Sequence, residues 1–250
     1  MTIEALIFDV DGTLADTEEA HRVAFNLAFE RHRLGWSWSR SDYRGLLNVT
    51  GGKERIASYV RSLSPGAAER HRLLELVPAI HAEKTRFYSS VVADGGVPLR
   101  EGVEQLLHEA LAAGCRLAIA STTTAVNVDA LLGATLGQRG LDLFSVIACG
   151  DQVRAKKPAP DIYLLALANL GLGPERAVAF EDSANGLVAA VAAGLWTLVT
   201  PTFWTEGSDF RAAGLVRPSL RGLTFAELSQ HARPARPLTP VQSLYLGVPS

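Results

Sequence analysis

Ala5-Leu6-Ile7-Phe8-Asp9-Val10-Asp11-Gly12-Thr13-Leu14 is the stretch on which the reading of this chain turns. An apolar run with the texture of a buried strand stops at one aspartate, and a second follows two positions later. Like charges this close raise each other's pKa, and buried strands seldom end in two carboxylates without a charge partner. A divalent cation would keep at least one of them ionised. Gly12 lets the backbone turn sharply, and Thr13 offers a hydroxyl beside the pair. A strand followed by a plain Asp-Gly turn accounts for the stretch equally well, so its partners must be sought elsewhere.

Beyond this stretch the pattern is helical. Residues 16–33 read as a helix capped by Asp16, with Glu19 as the reciprocal member of a capping box and Ala20, Val23, Ala24, Leu27 and Ala28 on one face. Helices are also expected at 42–47, 54–63 and 67–92, with Pro78 breaking or kinking the last. From residue 97 the texture changes. Helices at 101–113, 126–136, 160–170 and 185–193 alternate with short apolar strands at 116–121, 144–149, 177–180 and 196–199. Three of the helices close on Gly114, Gly171 and Gly194. Continuously apolar strands alternating with helices mark a parallel sheet. The first strand finds no partner in the helical insert and must join that sheet. The expected fold class is α/β: a doubly wound parallel-sheet core (1–15 and 94–232), interrupted after its first strand by an inserted helical cap (16–93). Residues 233–250 hold four prolines and no periodicity, and read as an extended C-terminal tail.

Composition narrows the functional classes. The chain has 250 residues, 48% of them hydrophobic and 20% charged, with a net charge of −2. That supports a sizeable core and gives no electrostatic footprint for nucleic acid or an anionic membrane. Cys115 and Cys149 both sit in apolar runs, as expected of reduced core thiols. With no signal-peptide pattern and no run near the roughly 20 apolar residues needed to cross a bilayer, a cytoplasmic monomer is expected.

In an open parallel sheet, ligands sit at the carboxyl ends of the strands. Those ends carry, in order, Asp9 and Asp11; Ser121 followed by Thr122, Thr123 and Thr124; Asp151 and then Lys156-Lys157-Pro158; and Glu181-Asp182-Ser183. Hydroxyls and an ammonium suit a phosphoryl group, while carboxylates suit Mg²⁺. Taken singly, the threonines could cap a helix, the lysines could line a solvated loop, and Glu181-Asp182 could cap the next helix. Four such elements in order, each at a different strand end, make coincidence a poor account. Pro158 fixes the chain beside Lys157 and makes that lysine the better candidate of the two.

This ordered set resembles the four motifs of the haloacid dehalogenase-like hydrolases, over about residues 3–204. The resemblance implies a Rossmann-like core and phosphotransfer chemistry. Asp9 would be the nucleophile that forms an aspartyl-phosphate, and Asp11 the acid for the leaving oxygen and then the base for water. Ser121 and Lys157 would hold the phosphoryl group. Asp9, the Asp11 carbonyl and Asp182 would bind Mg²⁺, with Glu181 beside them. The dehalogenases of the family lack an aspartate at the place of Asp11, which favours a phosphatase.

Within the insert, His21 lies one turn after Thr17, so both can face the cleft. Gly51 and Gly52 permit close approach to a ligand, and Lys53 and Arg55 could bind an anion. His81, Lys84 and Arg86 read as a solvated segment. Together with Ser121-Thr122-Thr123-Thr124 and Lys156-Lys157-Pro158-Ala159-Pro160-Asp161-Ile162-Tyr163, the run Gly51-Gly52-Lys53-Glu54-Arg55-Ile56 resembles the CbbY-type subgroup, phosphatases of xylulose-1,5-bisphosphate, an inhibitor of the Calvin-cycle enzyme Rubisco. That resemblance implies a small sugar-phosphate substrate. Glu18 and His21 would contact it or Asp11, Thr122 and Thr123 would line its site, and Lys53 and Arg55 would hold its distal phosphate. A β-phosphoglucomutase-like phosphomutase and a non-catalytic sugar-phosphate-binding module are the competing expectations. The second of these has no use for a nucleophile beside an acid.

Overall fold

The computed structural model describes residues 2–137 and 139–232; the expected tail at 233–250 lies outside the described residues. Six parallel strands form one sheet in the order β3-β2-β1-β4-β5-β6. They are β1 (Ala5–Phe8), β2 (Arg116–Ala120), β3 (Phe144–Ala148), β4 (Ala177–Glu181), β5 (Trp196–Val199) and β6 (Leu215–Val216). The first strand is thus central, hydrogen-bonded to β2 on one side and β4 on the other.

The faces separate by the two-residue period of the strands. Leu6, Phe8, Leu117, Ile119, Val178 and Phe180 point to a large-residue core. It is closed by α5 (Val103–Ala112), α6 (Ala125–Leu136) and α9 (Phe225–His231). Ala5, Ile7, Ala118, Ala120, Ala177 and Ala179 face the other way, against α7 (Asp161–Leu170) and α8 (Ala184–Ala192). Alanines on that face let these helices lie close to the sheet. The alternation of large and small residues therefore assigns helices to both sides, as the doubly wound reading expects.

Between β1 and α5 the chain forms α1 (Glu18–Arg31), α2 (Arg40–Leu46), α3 (Gly52–Ser62) and α4 (Ala67–Ala93). These helices share a separate, aromatic-rich core with Phe25, Phe29, Trp38 and Tyr43 at its centre. Entry and exit run side by side: Ala15 bridges Leu99, and the Arg100 amide donates to the Leu14 carbonyl at 2.8 Å.

Several local expectations are corrected. Asp16 does not cap α1: Thr17 holds the N-cap position without a side-chain cap bond, because its hydroxyl donates to Asp11 instead. Glu19 pairs with Arg22 rather than closing a capping box. The second helix starts earlier than expected, at a capping box between Ser39 and Asp42. Helix α4 runs through Pro78 as one 27-residue element. Burial of Leu73, Val77 and Ile80 on either side of Pro78 offsets the cost of about 3 kcal/mol for an interior proline. Neither β6 nor α9 was anticipated, although Thr224 and Glu227 form a capping box at the start of α9.

Candidate active site

The register of β2-β1-β4 places Ser121, Asp9 and Glu181-Asp182 on one edge of the sheet. The Asp9 amide donates to Phe180 O at 3.0 Å, and the Ser121 amide to Ala148 O at 3.0 Å. Asp9 is buried there. Lys157, from the loop after β3, reaches across the edge and donates to Asp9 Oδ1 at 2.7 Å and to Glu181 Oε1 at 2.6 Å. Burial alone would lower the pKa of the ammonium, but the two carboxylates outweigh it and raise the pKa. Glu181 is also claimed by Tyr163 Oη at 2.6 Å on Oε1, and by the Asp182 amide and Ser183 Oγ, each at 3.2 Å, on Oε2. Its oxygens are taken by protein donors, so it sits behind the site as the anchor of Lys157.

Asp11 has a different environment. Its Oδ1 accepts from Thr17 Oγ1 at 2.6 Å and from His21 Nε2 at 2.9 Å. On the far side of the ring, Lys84 Nζ lies 2.6 Å from His21 Nδ1. An ammonium can only donate, so Nδ1 accepts, and the His21 proton sits on Nε2, facing Asp11. The ring is clamped by Tyr88, stacked at 4.1 Å between centroids. Burial by itself would raise the Asp11 pKa, but His21, Thr17 and Lys84 together pull it well below the carboxylate range. Lys84 is pushed down to about 8 by burial. The expectation that His81 and Lys84 are solvated is thus overturned: both are buried and line the cleft, while Arg86 is exposed and pairs with Glu83. A signal for Lys84 was present in the sequence, since Ile80, Lys84, Tyr88 and Val92 recur every four residues and are all buried.

Asp9, Glu181 and Asp182 bring carboxylate oxygens within 4.8 Å of one another. Among the described residues no hydrogen bond reaches the Asp182 carboxylate. Burial, Glu181 and Asp9 raise its pKa well above the ordinary value. Asp9 is pushed up to about 7 by burial, with Glu181 and Asp11 adding to the rise and Lys157 opposing it. A buried carboxylate without a donor, beside a second one, is a donor set suited to a hard divalent cation. Gly12 keeps the space open: a Cβ there would lie 2.3 Å from Asp182 Oδ2, on a backbone with φ +84°. Arg100, which the sequence did not reveal, ties this loop down by donating to the carbonyls of Gly12, Thr200, Pro201 and Pro218.

The remaining sequence candidates fall around the same cleft. Thr124 is the cap of α6, while Ser121 and Thr122 face the cleft, the Ser121 hydroxyl oxygen accepting from the Thr123 amide at 3.3 Å. Thr123 is buried and accepts from Asn127 Nδ2 at 2.9 Å. From the cap, Glu18 accepts from Tyr43 Oη at 2.8 Å. Gly51 and Gly52 open α3 at the cleft wall. Arg55 lines the cleft, but its guanidinium is bound to Tyr43 Oη at 3.0 Å and Leu46 O at 3.2 Å. Lys53 pairs with Asp151 at 3.5 Å, and Lys156 with Glu54 at 3.1 Å, so two ion pairs cross the mouth between cap and core. Tyr43, which ties Glu18 to Arg55, was not singled out by sequence.

The family model for haloacid dehalogenase-like hydrolases matches residues 3–194. The chain belongs to the haloacid dehalogenase-like hydrolases. Among curated members, it is 51% identical to protein CbbY of Rhodobacter capsulatus, over 88% of this chain and 95% of that protein. It is 48% identical to CbbY of Cereibacter sphaeroides, over 90% and 94%. The crystal structure of CbbY from Rhodobacter sphaeroides in complex with phosphate is similar at a TM-score of 0.84 and 46% identity, covering 91% of this chain and all of that one. A mutant of the same protein in complex with xylulose-1,5-bisphosphate is similar at 0.85, with 91% and 99% coverage. Phosphatases acting on phosphorylated carbohydrates are also among the relatives, such as one from Thermotoga maritima at 32% identity over 77% of this chain and 82% of that protein. Among the described residues of this hydrolase, no helix is long and apolar enough to cross a membrane.

Proposed function

We propose that this hydrolase is a Mg²⁺-dependent phosphatase of a small sugar bisphosphate, and that it converts xylulose-1,5-bisphosphate to xylulose 5-phosphate through an aspartyl-phosphate. The observation that carries this reading is the division of the two aspartates. Asp9 is held by Lys157 next to the unpartnered Asp182, while Asp11 is held by Thr17 and by the Lys84–His21 pair. The likeness to CbbY, one form of which holds xylulose-1,5-bisphosphate, supports the choice of substrate.

In the first half-reaction an Asp9 oxygen attacks phosphorus, the bond from phosphorus to the sugar oxygen breaks, and that oxygen takes a proton from Asp11. The Lys84–His21 chain is arranged to supply this proton, because Lys84 donates toward His21 and His21 toward Asp11. In the second, Asp11 removes a proton from water, which attacks phosphorus and breaks its bond to Asp9. Inorganic phosphate leaves and Asp11 is protonated again. Lys157, with the Ser121 and Thr122 hydroxyls, neutralises and positions the transferring group. Asp9, Asp182 and the Asp11 carbonyl are the groups that would hold Mg²⁺, which when bound supplies charge neutralisation for the phosphoryl oxygens. On the cap side, Lys53 and Arg55 would face the distal phosphate, with Arg55 acting from its fixed place against Tyr43. The test is phosphate release from pentulose and hexose mono- and bisphosphates, with Mg²⁺ and with chelator. Release that needs Mg²⁺ and favours the pentulose bisphosphate supports the reading. An isomer formed only with a bisphosphate primer would make the protein a mutase instead.

A further inference from the structure

One polar side chain in the cleft has no task in this scheme. His81, on α4, is 8% exposed and lines the cleft from the cap side. Among the described residues no hydrogen bond reaches its ring. A neutral imidazole that lines a cleft without a protein partner keeps one donor and one acceptor available to a ligand. The ring lies against the start of α3: a Cβ on Gly52 would stand 2.7 Å from both His81 Nε2 and Cδ2. The glycine is what admits the ring to that place. Helix α3 has 11 residues, and its N-cap Gly51 and first residues, Gly52 and Lys53, line the same cleft. The charged groups around the ring are Lys84 on its own helix, Lys53 on α3, and Lys156 and Asp151 from the core loop. Lys53 and Lys156 each have a carboxylate partner across the mouth, and Lys84 is committed to His21. His81 is the uncommitted member of the group.

We propose that His81 is a specificity-determining residue whose ring N–H donates a hydrogen bond to the second, non-reacting anionic group of the substrate. The inference rests on the bisphosphate reading above and goes beyond it by naming a donor outside the Gly51–Arg55 run. In the free protein, burial and the three lysines push the ring down to about 3, so the imidazole that meets the ligand is neutral and carries one N–H donor. A neutral donor among cations adds directionality without adding repulsion between the lysines. It also discriminates: a monophosphate offers the ring no anionic acceptor, whereas a bisphosphate does.

The test compares kcat/KM for the pentulose bisphosphate and for the corresponding monophosphate in the wild type, His81→Leu and His81→Gln. The ratio of the two substrates cancels any loss of folded enzyme. His81→Leu is expected to lower the bisphosphate-to-monophosphate ratio about tenfold, the order expected for one hydrogen bond to a charged group. His81→Gln, whose amide can donate from nearly the same place, is expected to stay within about threefold of the wild type. A high wild-type ratio that His81→Leu leaves unchanged, or that both variants lower equally, overturns the inference while the bisphosphate reading stands. A wild-type ratio near one overturns the bisphosphate reading and takes this inference with it.

Discussion

Replacing Asp182 by Asn should make the metal-free protein more stable and the enzyme inactive. The buried edge of the sheet holds Asp9, Glu181 and Asp182 within reach of one another, with Lys157 as the cation bonded to two of them. Burial, with Glu181 and Asp11 beside it, pushes Asp9 up from 3.8 to about 7. A carboxylate whose folded pKa is raised makes the native state bind more protons than the unfolded chain between those values. Its burden is therefore absent below pH 4 and complete above pH 7. For Asp9 that burden is on the order of a few kcal/mol, since each pKa unit is worth about 1.4 kcal/mol. Asp182 is shifted in the same direction by the same kinds of neighbour. An Asn amide removes one of the negative charges and can donate to Asp9 or Glu181. In EDTA at pH 8, Asp182→Asn should then be more stable by about 1–2 kcal/mol, or roughly 2–8 °C in Tm. The gap should shrink at pH 5, where the wild type already carries the protons. Mg²⁺ should raise the Tm of the wild type, more at pH 8 than at pH 5, and leave that of the variant unmoved. Thermal melts at the two pH values, with EDTA and with Mg²⁺, measure all of this. A variant less stable than the wild type at pH 8 in EDTA would refute the reasoning, because Asp182 would then be held by the protein rather than reserved for a cation.

Other outcomes follow from neighbouring contacts. Lys84→Met removes the donor to His21 Nδ1 and should lower kcat about 10- to 100-fold with little change in folding, read from steady-state kinetics and circular dichroism. Unchanged kcat would show that His21 positions Asp11 without it. Gly12→Ala brings a Cβ to within 2.3 Å of Asp182 Oδ2 and should weaken Mg²⁺ activation at least tenfold, measured as the Mg²⁺ concentration at half-maximal rate. Trp204, on the loop after β5, is buried in the aromatic core of the cap against Tyr43 at 5.7 Å. Trp204→Ala should loosen the hold of the core on the cap, lower stability by about 3 kcal/mol and raise KM through Tyr43, Glu18 and Arg55. Urea melts and KM measured together would show it, and an unchanged KM would deny the link.

Much of the core was legible because its chemistry sits at strand ends. A strand of four buried residues that stops at Asp9 has little freedom in where it puts that carboxylate, and the same holds for Ser121 and Glu181-Asp182. Lys157 could be chosen over Lys156 from the proline beside it, and the structure turns Lys157 inward to Asp9 and Lys156 outward to Glu54. The cap was legible as helices but not as a site. His81 and Lys84 look solvated in a helix read alone, and become buried only because the helix faces a cleft formed with a distant part of the chain. Thr17 shows the same limit: a residue suited to capping its helix is drawn instead to Asp11. Tyr43 and Arg100 escaped, and Tyr163 stands out only as the end of the run from Lys156, because a hydroxyl or guanidinium that binds another functional group leaves no spacing signature. Strand β6, with two residues, is too short for any periodicity to register.

The central claim is that Asp9 is the nucleophile, and its most direct test is phosphate release from xylulose-1,5-bisphosphate by Asp9→Asn in the presence of Mg²⁺. The account predicts that the variant folds and binds the bisphosphate but releases no phosphate, while the wild type turns over and yields a phosphoryl adduct on Asp9 when quenched in acid. Turnover retained by Asp9→Asn would contradict it.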